Sequence, residues 1–196
     1  MNRSRIAGLV VVGFGAAAVA LVSPALRSAP AEHGVRHIVA RWNGATFVEV
    51  GDGVFQRRGN DCGPAALAHA LRLLGVPAPY PDTSSTIELG RRGCRFGDLH
   101  RECGRYGVAA EFRRADVLGL ERIRPPAVLF LSRGHFVVFE GSEGGVIRVH
   151  DPSIGRIEYR ADSFHRRWRG ELMWFPRDSE RARDGCEAAP QNGGRT

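Results

Sequence analysis

Four residues of this 196-residue chain have the types and spacing needed for covalent acyl-group chemistry: Cys62, His135, Asp151 and Gln56. Cys62 stands in Gly59-Asn60-Asp61-Cys62-Gly63-Pro64, just ahead of apolar residues at 66, 67, 70, 71 and 74. That spacing predicts a helix starting near Cys62. A thiol at a helix N-terminus is a good nucleophile, because the peptide dipoles favour its thiolate. Such a nucleophile needs a base that takes its proton and later protonates the leaving group. The base in turn needs an acceptor that fixes its tautomer. His135 opens the run HFVVFEG, and Asp151 closes GVIRVHD sixteen positions later. If these runs pair as antiparallel strands, the start of one lies beside the end of the next, and the two residues become neighbours. Gln56, six residues before Cys62, can offer a side-chain amide to an oxyanion alongside the Cys62 backbone N–H.

Each signal is weak alone. A lone Cys in a helix is usually a small buried hydrophobe, a lone His is usually satisfied or solvated, and Asp-Pro is usually a turn. The order Gln, Cys, His, Asp on the expected local structures is far more specific. Other candidates fit less well. His69 falls two turns into the Cys62 helix, about 10 Å from its start, too far to act as the base. His150 alternates to the face opposite Asp151 and reads as exposed. His165 lies in an Arg-rich segment and reads as surface. Cys94 and Cys103 lack the close pairing of a metal site, while an exported compartment would permit a disulfide between them. Cys186 lies in the polar tail.

The elements that must position these residues are an N-terminal helical part and a C-terminal sheet. Residues 35–50 read as one or two strands. Asn60 or Asp61 can cap the Cys62 helix, Pro64 suits its first turn, and Gly75 stops it. VPAPYPDTSS reads as a Pro-rich loop. Residues 96–106 read as a second helix stopped by Gly107, VAAEFRR as a strand, and DVLGLERI as a short helix. The period then changes, and 127–131, 135–141, 145–151 and 155–160 read as a four-stranded antiparallel meander. SFHRRWRGELMWF closes the domain as a short helix and a strand. Helices followed by an antiparallel sheet give an α+β class.

Composition bounds the rest. Apolar residues at 43% and charged residues at 25% are globular values. The net charge of +7 comes from 28 Arg and no Lys, spread along the chain without a basic stripe, which argues against a nucleic-acid partner. Residues 6–22 carry no charge and follow Arg3 and Arg5. Residues 1–34 therefore read as a signal peptide or an N-terminal membrane anchor, with the remainder exported to the periplasm, cell surface or medium. Residues 177–196 read as a disordered polar tail, leaving 35–176 as one domain.

The strings QRRGNDCGPAALAHALRLLG, GHFVVFE and HDPSIG resemble the bacteriocin-processing, double-glycine leader cysteine peptidases. Phe164 and Trp168-Arg169-Gly170 resemble the family's closing element. The resemblance spans about residues 50–175 and implies a papain-like peptidase domain. It implies Cys62 as nucleophile, His135 as base and acid, Asp151 as orienting residue and Gln56 as oxyanion donor, with no metal or organic cofactor. It further implies a peptide or protein substrate, with cleavage after Gly-Gly in the exporter-fused relatives, and export machinery as a partner. Those relatives face the cytoplasm, whereas this N-terminus directs the domain outward. A non-catalytic peptide-binding module and an acyltransferase with the same triad are the alternatives.

The charge pattern at the N-terminus yields one prediction. A reporter active only outside the cytoplasm, fused after Thr196, should be active. Activity only of a cytoplasmic reporter would contradict export.

Overall fold

The helix expected at Cys62 spans Cys62–Leu73 and is labelled α1. Its first ten residues are all buried. Two different surfaces cover it. Ala66, Leu67, Ala70 and Leu71 join the main core, while the small Ala65 and Ala68 let Tyr80 and Val54 approach the other side. Past Leu74 the chain turns through Gly75 at φ +78°. There the Val76 N–H reaches Leu71 O at 2.9 Å and the Gly75 N–H reaches Arg72 O at 3.0 Å. This is a Schellman stop, and the left-handed residue favours glycine.

The computed structural model describes residues 44–49 and 51–177, together with Ile38. The proposed signal or anchor, the start of the 35–50 segment, Cys186 and the tail from 178 lie outside the described residues. No helix among the described residues is long and apolar enough to cross a membrane. The other helices named among the described residues are α2 (Tyr80–Thr86), α3 (Phe96–Arg105), α4 (Val117–Glu121) and α5 (Ala161–His165). The strands are β1 (Ala45–Glu49), β2 (Glu111–Arg114), β3 (Ala127–Leu131), β4 (His135–Glu143), β5 (Val146–Asp151), β6 (Gly155–Arg160) and β7 (Trp168–Trp174). They form one antiparallel sheet in the order β1-β6-β5-β4-β3-β7-β2. The α+β class and the four-stranded meander are both present.

One stretch departs from the sequence reading. VPAPYPDTSS is not wholly a loop, because Tyr80–Thr86 is helical. Pro79 and Pro81 stand at the cap and in the first turn, where proline removes no helical hydrogen bond. The prolines start this helix rather than prevent it. Its Tyr80 packs against α1.

The hairpins deliver the two other site residues. Leu131 pairs with His135 across a three-residue turn whose last member, Gly134, has φ +77°. Asp151 pairs with Gly155 across another three-residue turn. In between, Glu143 pairs with Val146 around Gly144-Gly145, at φ +56° and +74°. A two-residue turn with both residues left-handed matches the twist of its strands. It starts the β4–β5 pairing, and an irregularity between Phe139 and Gly141 then shifts the register so that Val138 stands opposite His150. Phe136 and Val138 then face α1 in the core. Val137 and Phe139 alternate to the other face and are fully buried too, so both faces of β4 are covered.

Candidate active site

Cys62, His135 and Asp151 come together where the start of α1 meets the β4 and β5 ends. His135 Nε2 lies 2.8 Å from Asp151 Oδ1. Asp151 can only accept while ionised, so Nε2 carries the proton. The other ring nitrogen is then the one left for Cys62, with which His135 is hydrogen-bonded. Asp151 is held in turn by the Ser153 N–H and the Ser153 hydroxyl, each at 2.7 Å. It is therefore both a turn residue and the His135 partner.

Charge is distributed across the group. Burial pushes the Cys62 thiol up, but the His135 hydrogen bond and charge, with the Phe136 backbone N–H, outweigh it and hold the thiol below its ordinary value. Burial would lower His135, yet Asp151 and Cys62 raise it from 6.5 to about 10. Burial would raise Asp151, but His135 and Ser153 keep it below its ordinary value. All three directions favour a thiolate paired with an imidazolium. The start of α1 supports the thiolate as well, since first-turn N–H groups have no intrahelical acceptor.

Gln56 lies in the loop before α1, and its backbone N–H donates to Pro152 O at 2.9 Å, just past Asp151. Its side chain is not in contact with Cys62 in any described hydrogen bond. The amide Nε2 donates to Arg58 O at 2.7 Å, and Oε1 is buried without a partner. A side-chain amide has two N–H groups, and Arg58 takes one.

Asp61 occupies the cap position of α1 but does not cap it with its side chain. Only 1% exposed, its carboxylate accepts from the Arg57 N–H at 3.3 Å, the Arg58 N–H at 2.9 Å and the Tyr80 hydroxyl. It thus folds the 57–61 loop around itself. Asn60 bonds across to Gly90 O at 3.0 Å. In the sequence Asp61 resembles an ordinary cap, and its true partner, Tyr80, lies in the segment read as a loop.

His150 is also corrected. It faces opposite to Asp151 as alternation requires, but it is 2% exposed, because α1 covers that face. His69, Glu140 and His150 bring ligand atoms within 4.8 Å of one another. Protein partners already serve this trio. Arg156 holds Glu140 and Val54 O accepts from His150. Cys94 and Cys103 are both free, so the disulfide permitted by export is not formed. Burial, the largest cause, pushes each thiol to about 12, whereas Cys62 is held below its ordinary value. Cys94 packs close to Gly63, where an added Cβ would lie 2.3 Å from its sulfur. That contact explains why glycine must follow Cys62.

Residues 52–180 match the model of the peptidase C39 family. The chain belongs to the peptidase C39 family. It is a cysteine peptidase. An uncharacterized protein of Methanothermobacter marburgensis is 29% identical over 133 residues, covering 67% of this chain and 94% of that one. A probable functional amyloid protease, FapD, of Pseudomonas aeruginosa is also 29% identical over 133 residues, covering 61% of this chain and 58% of FapD. Among solved structures, a double glycine motif protease from an AMS/PCAT transporter, in complex with the leader peptide, superposes with a TM-score of 0.60. Its identity is 24%, and the match covers 67% of this chain and 93% of that one. The peptidase domain of Streptococcus ComA superposes with a TM-score of 0.57 at 18% identity, covering 62% and 95%. These structures share the papain-like fold.

A raised His135 contributes stability below its unfolded value near 6.5, and that contribution is lost as pH climbs toward about 10. If His135 supplies the proton for the leaving amine, turnover needs that proton, whereas alkylation needs only the thiolate. Peptide cleavage should therefore fall on the alkaline side near pH 10 while iodoacetamide labelling of Cys62 stays high. If labelling and cleavage instead rose together with an ordinary thiol near about 8.5, no ion pair would exist.

Proposed function

We propose that this C39 peptidase cleaves exported peptides after a Gly-Gly pair, with Cys62 as nucleophile. The observation that carries the reading is the continuous hydrogen-bonded chain Cys62–His135–Asp151 at the start of α1. The Cys62 thiolate attacks the scissile carbonyl, and the Cys62 backbone N–H together with the second N–H of Gln56 receives the oxyanion. The imidazolium of His135 gives its proton from the Cys62-facing nitrogen to the leaving amine as the C–N bond breaks. His135, now neutral, takes a proton from water as the water attacks the thioester, and the Cys62 sulfur departs as the thiolate, which restores the ion pair. Asp151 stays ionised throughout and holds the Nε2–H of His135.

Support for the Gly-Gly site comes from the family and from the shared fold with a double glycine motif protease that binds a leader peptide. In this reading residues 1–34 place the domain outside the cytoplasm, where it meets its substrate after or during export.

The test is a quenched fluorescent peptide with one Gly-Gly pair, incubated with the full chain. Cleavage should occur after the second Gly and vanish in Cys62→Ala. Gln56→Ala should lower kcat by about 10²–10³ with little change in KM. Replacing Gly-Gly in the peptide by Ala-Val should reduce kcat/KM by at least about tenfold. Equal cleavage of both peptides would remove the Gly-Gly specificity, and full turnover by Gln56→Ala would remove the oxyanion role.

A further inference from the structure

A second polar cluster, buried more deeply than His135, is drawn from the same segments as the active site. His69 follows Cys62 on α1 and is 3% exposed. Its ring stacks on that of His150 with centroids 4.0 Å apart and planes at 30°. His69 Nε2 lies 2.9 Å from Oε1 of Glu140, which follows His135 on β4. Arg156 on β6 donates through Nε to Glu140 Oε2 at 2.8 Å. His150 precedes Asp151 on β5, and its Nε2 donates to Val54 O at 3.0 Å, two residues before Gln56. Each segment carrying Cys62, His135, Asp151 or Gln56 thus sends one group into this cluster.

We propose that His150 is a positioning residue for the peptidase reaction: its stack on His69 and its hydrogen bond to Val54 O hold the Gln56 loop in register with the nucleophile helix. The proposal rests on the reading of Gln56 as an oxyanion donor.

Three consecutive residues of the loop meet the His150 ring. A Cβ on Gly53 would lie 1.7 Å from His150 Cε1, so only glycine admits the ring there. Val54 accepts its hydrogen bond. Phe55 meets the ring edge-on, with centroids 5.5 Å apart. Gln56 follows directly, so a displacement of Val54 is passed to the Gln56 amide. An oxyanion donor must lie about 2.7–3.1 Å from the developing charge, and a misplacement of about 1 Å can cost about 10²-fold in rate. The hold on this loop is therefore a kinetic quantity, not only a structural one.

The cluster keeps His150 in the form it needs. Burial, followed by the proximity of His69, lowers His150 to about 4. The groups facing it are His69 and Arg72 from α1, Glu140 from β4, Asp151 from β5, Arg156 from β6, and Val54 O and Phe55 from the loop. Because an unfolded chain binds the proton near 6.5, the stability from neutral His150 is present above that value and is lost as pH falls toward 4.

The test uses the full chain with His150→Phe, which keeps a ring on His69 but removes the donor, and His150→Gln, which keeps a donor. In His150→Phe, amide hydrogen exchange across 51–58 should accelerate at least about tenfold while 62–73 and 135–143 stay protected. Its kcat on the Gly-Gly peptide should fall about tenfold, with KM within about twofold and Cys62 alkylation unchanged. Adding His150→Phe to Gln56→Ala should lower kcat no further, and His150→Gln should recover most of the loss. Gly53→Ala, which keeps the His150 side chain but drives a Cβ into its ring from the loop side, should show the same selective exchange. Unchanged loop exchange in both His150→Phe and Gly53→Ala would overturn the proposal. So would a loss of kcat matched by a uniform rise of exchange in α1 and β4, which marks a role in stability alone. If the unaltered chain cleaved no Gly-Gly peptide but loop exchange responded selectively, the substrate reading would fall and the loop-holding role would stand.

Discussion

Holding a thiolate beside an imidazolium in a largely buried site is the constraint on which the rest of this peptidase depends, and the contacts of Cys62, His135 and Asp151 all favour that pair. Burying an ion costs several kcal/mol even after relaxation. A helix N-terminus returns about 0.3–1 kcal/mol, and up to about 2 in partly buried geometry. A hydrogen bond to a charged group contributes about 1.5–3 kcal/mol. No single one of these offsets the cost. Cys62 therefore takes the start of α1, the Phe136 N–H and His135 together. His135 needs Asp151, and Asp151 needs the Ser153 N–H and hydroxyl. Each link is satisfied only because the next one is.

Such a chain tolerates little misplacement, and the fold spends its tight turns where the chain passes. Gly134 turns β3 into β4 immediately before His135. The Gly144-Gly145 turn starts the β4–β5 pairing, and the register shift between Phe139 and Gly141 sets where His150, and Asp151 after it, fall along β4. Asp61 and Tyr80 fold the loop that leads into Cys62. The buried His69 and His150, with the partly buried Glu140, then link the same segments a second time. Two layers of polar contacts are thus tied to the same strands and the same helix.

The reactive layer was largely legible in the sequence because its cues are local. A cysteine before an apolar 3.6-residue repeat marks a helix start, and paired strand runs put His135 beside Asp151. Membership of the C39 family agrees with the resemblance carried by QRRGNDCGPAALAHALRLLG and HDPSIG. The second layer was hidden because its partners are non-local. His150 read as exposed since alternation gives a face but not what covers that face, and here α1 does. Asp61 read as a cap because its choice of Tyr80 depends on α2, which Pro79 and Pro81 disguised as a loop. The Gln56 amide was aimed at an oxyanion from spacing alone, while Arg58 O competes for it locally.

The protonation state of His135 tests the central claim most directly. Nitrogen-15 spectra of the imidazole, recorded on the full chain with and without Cys62→Ala, report both ring nitrogens separately. The account requires a doubly protonated His135 at neutral pH, losing its proton only near pH 10, and a lower transition once the thiolate is removed. A His135 that is neutral at pH 7 and titrates identically in Cys62→Ala would mean that no thiolate–imidazolium pair exists.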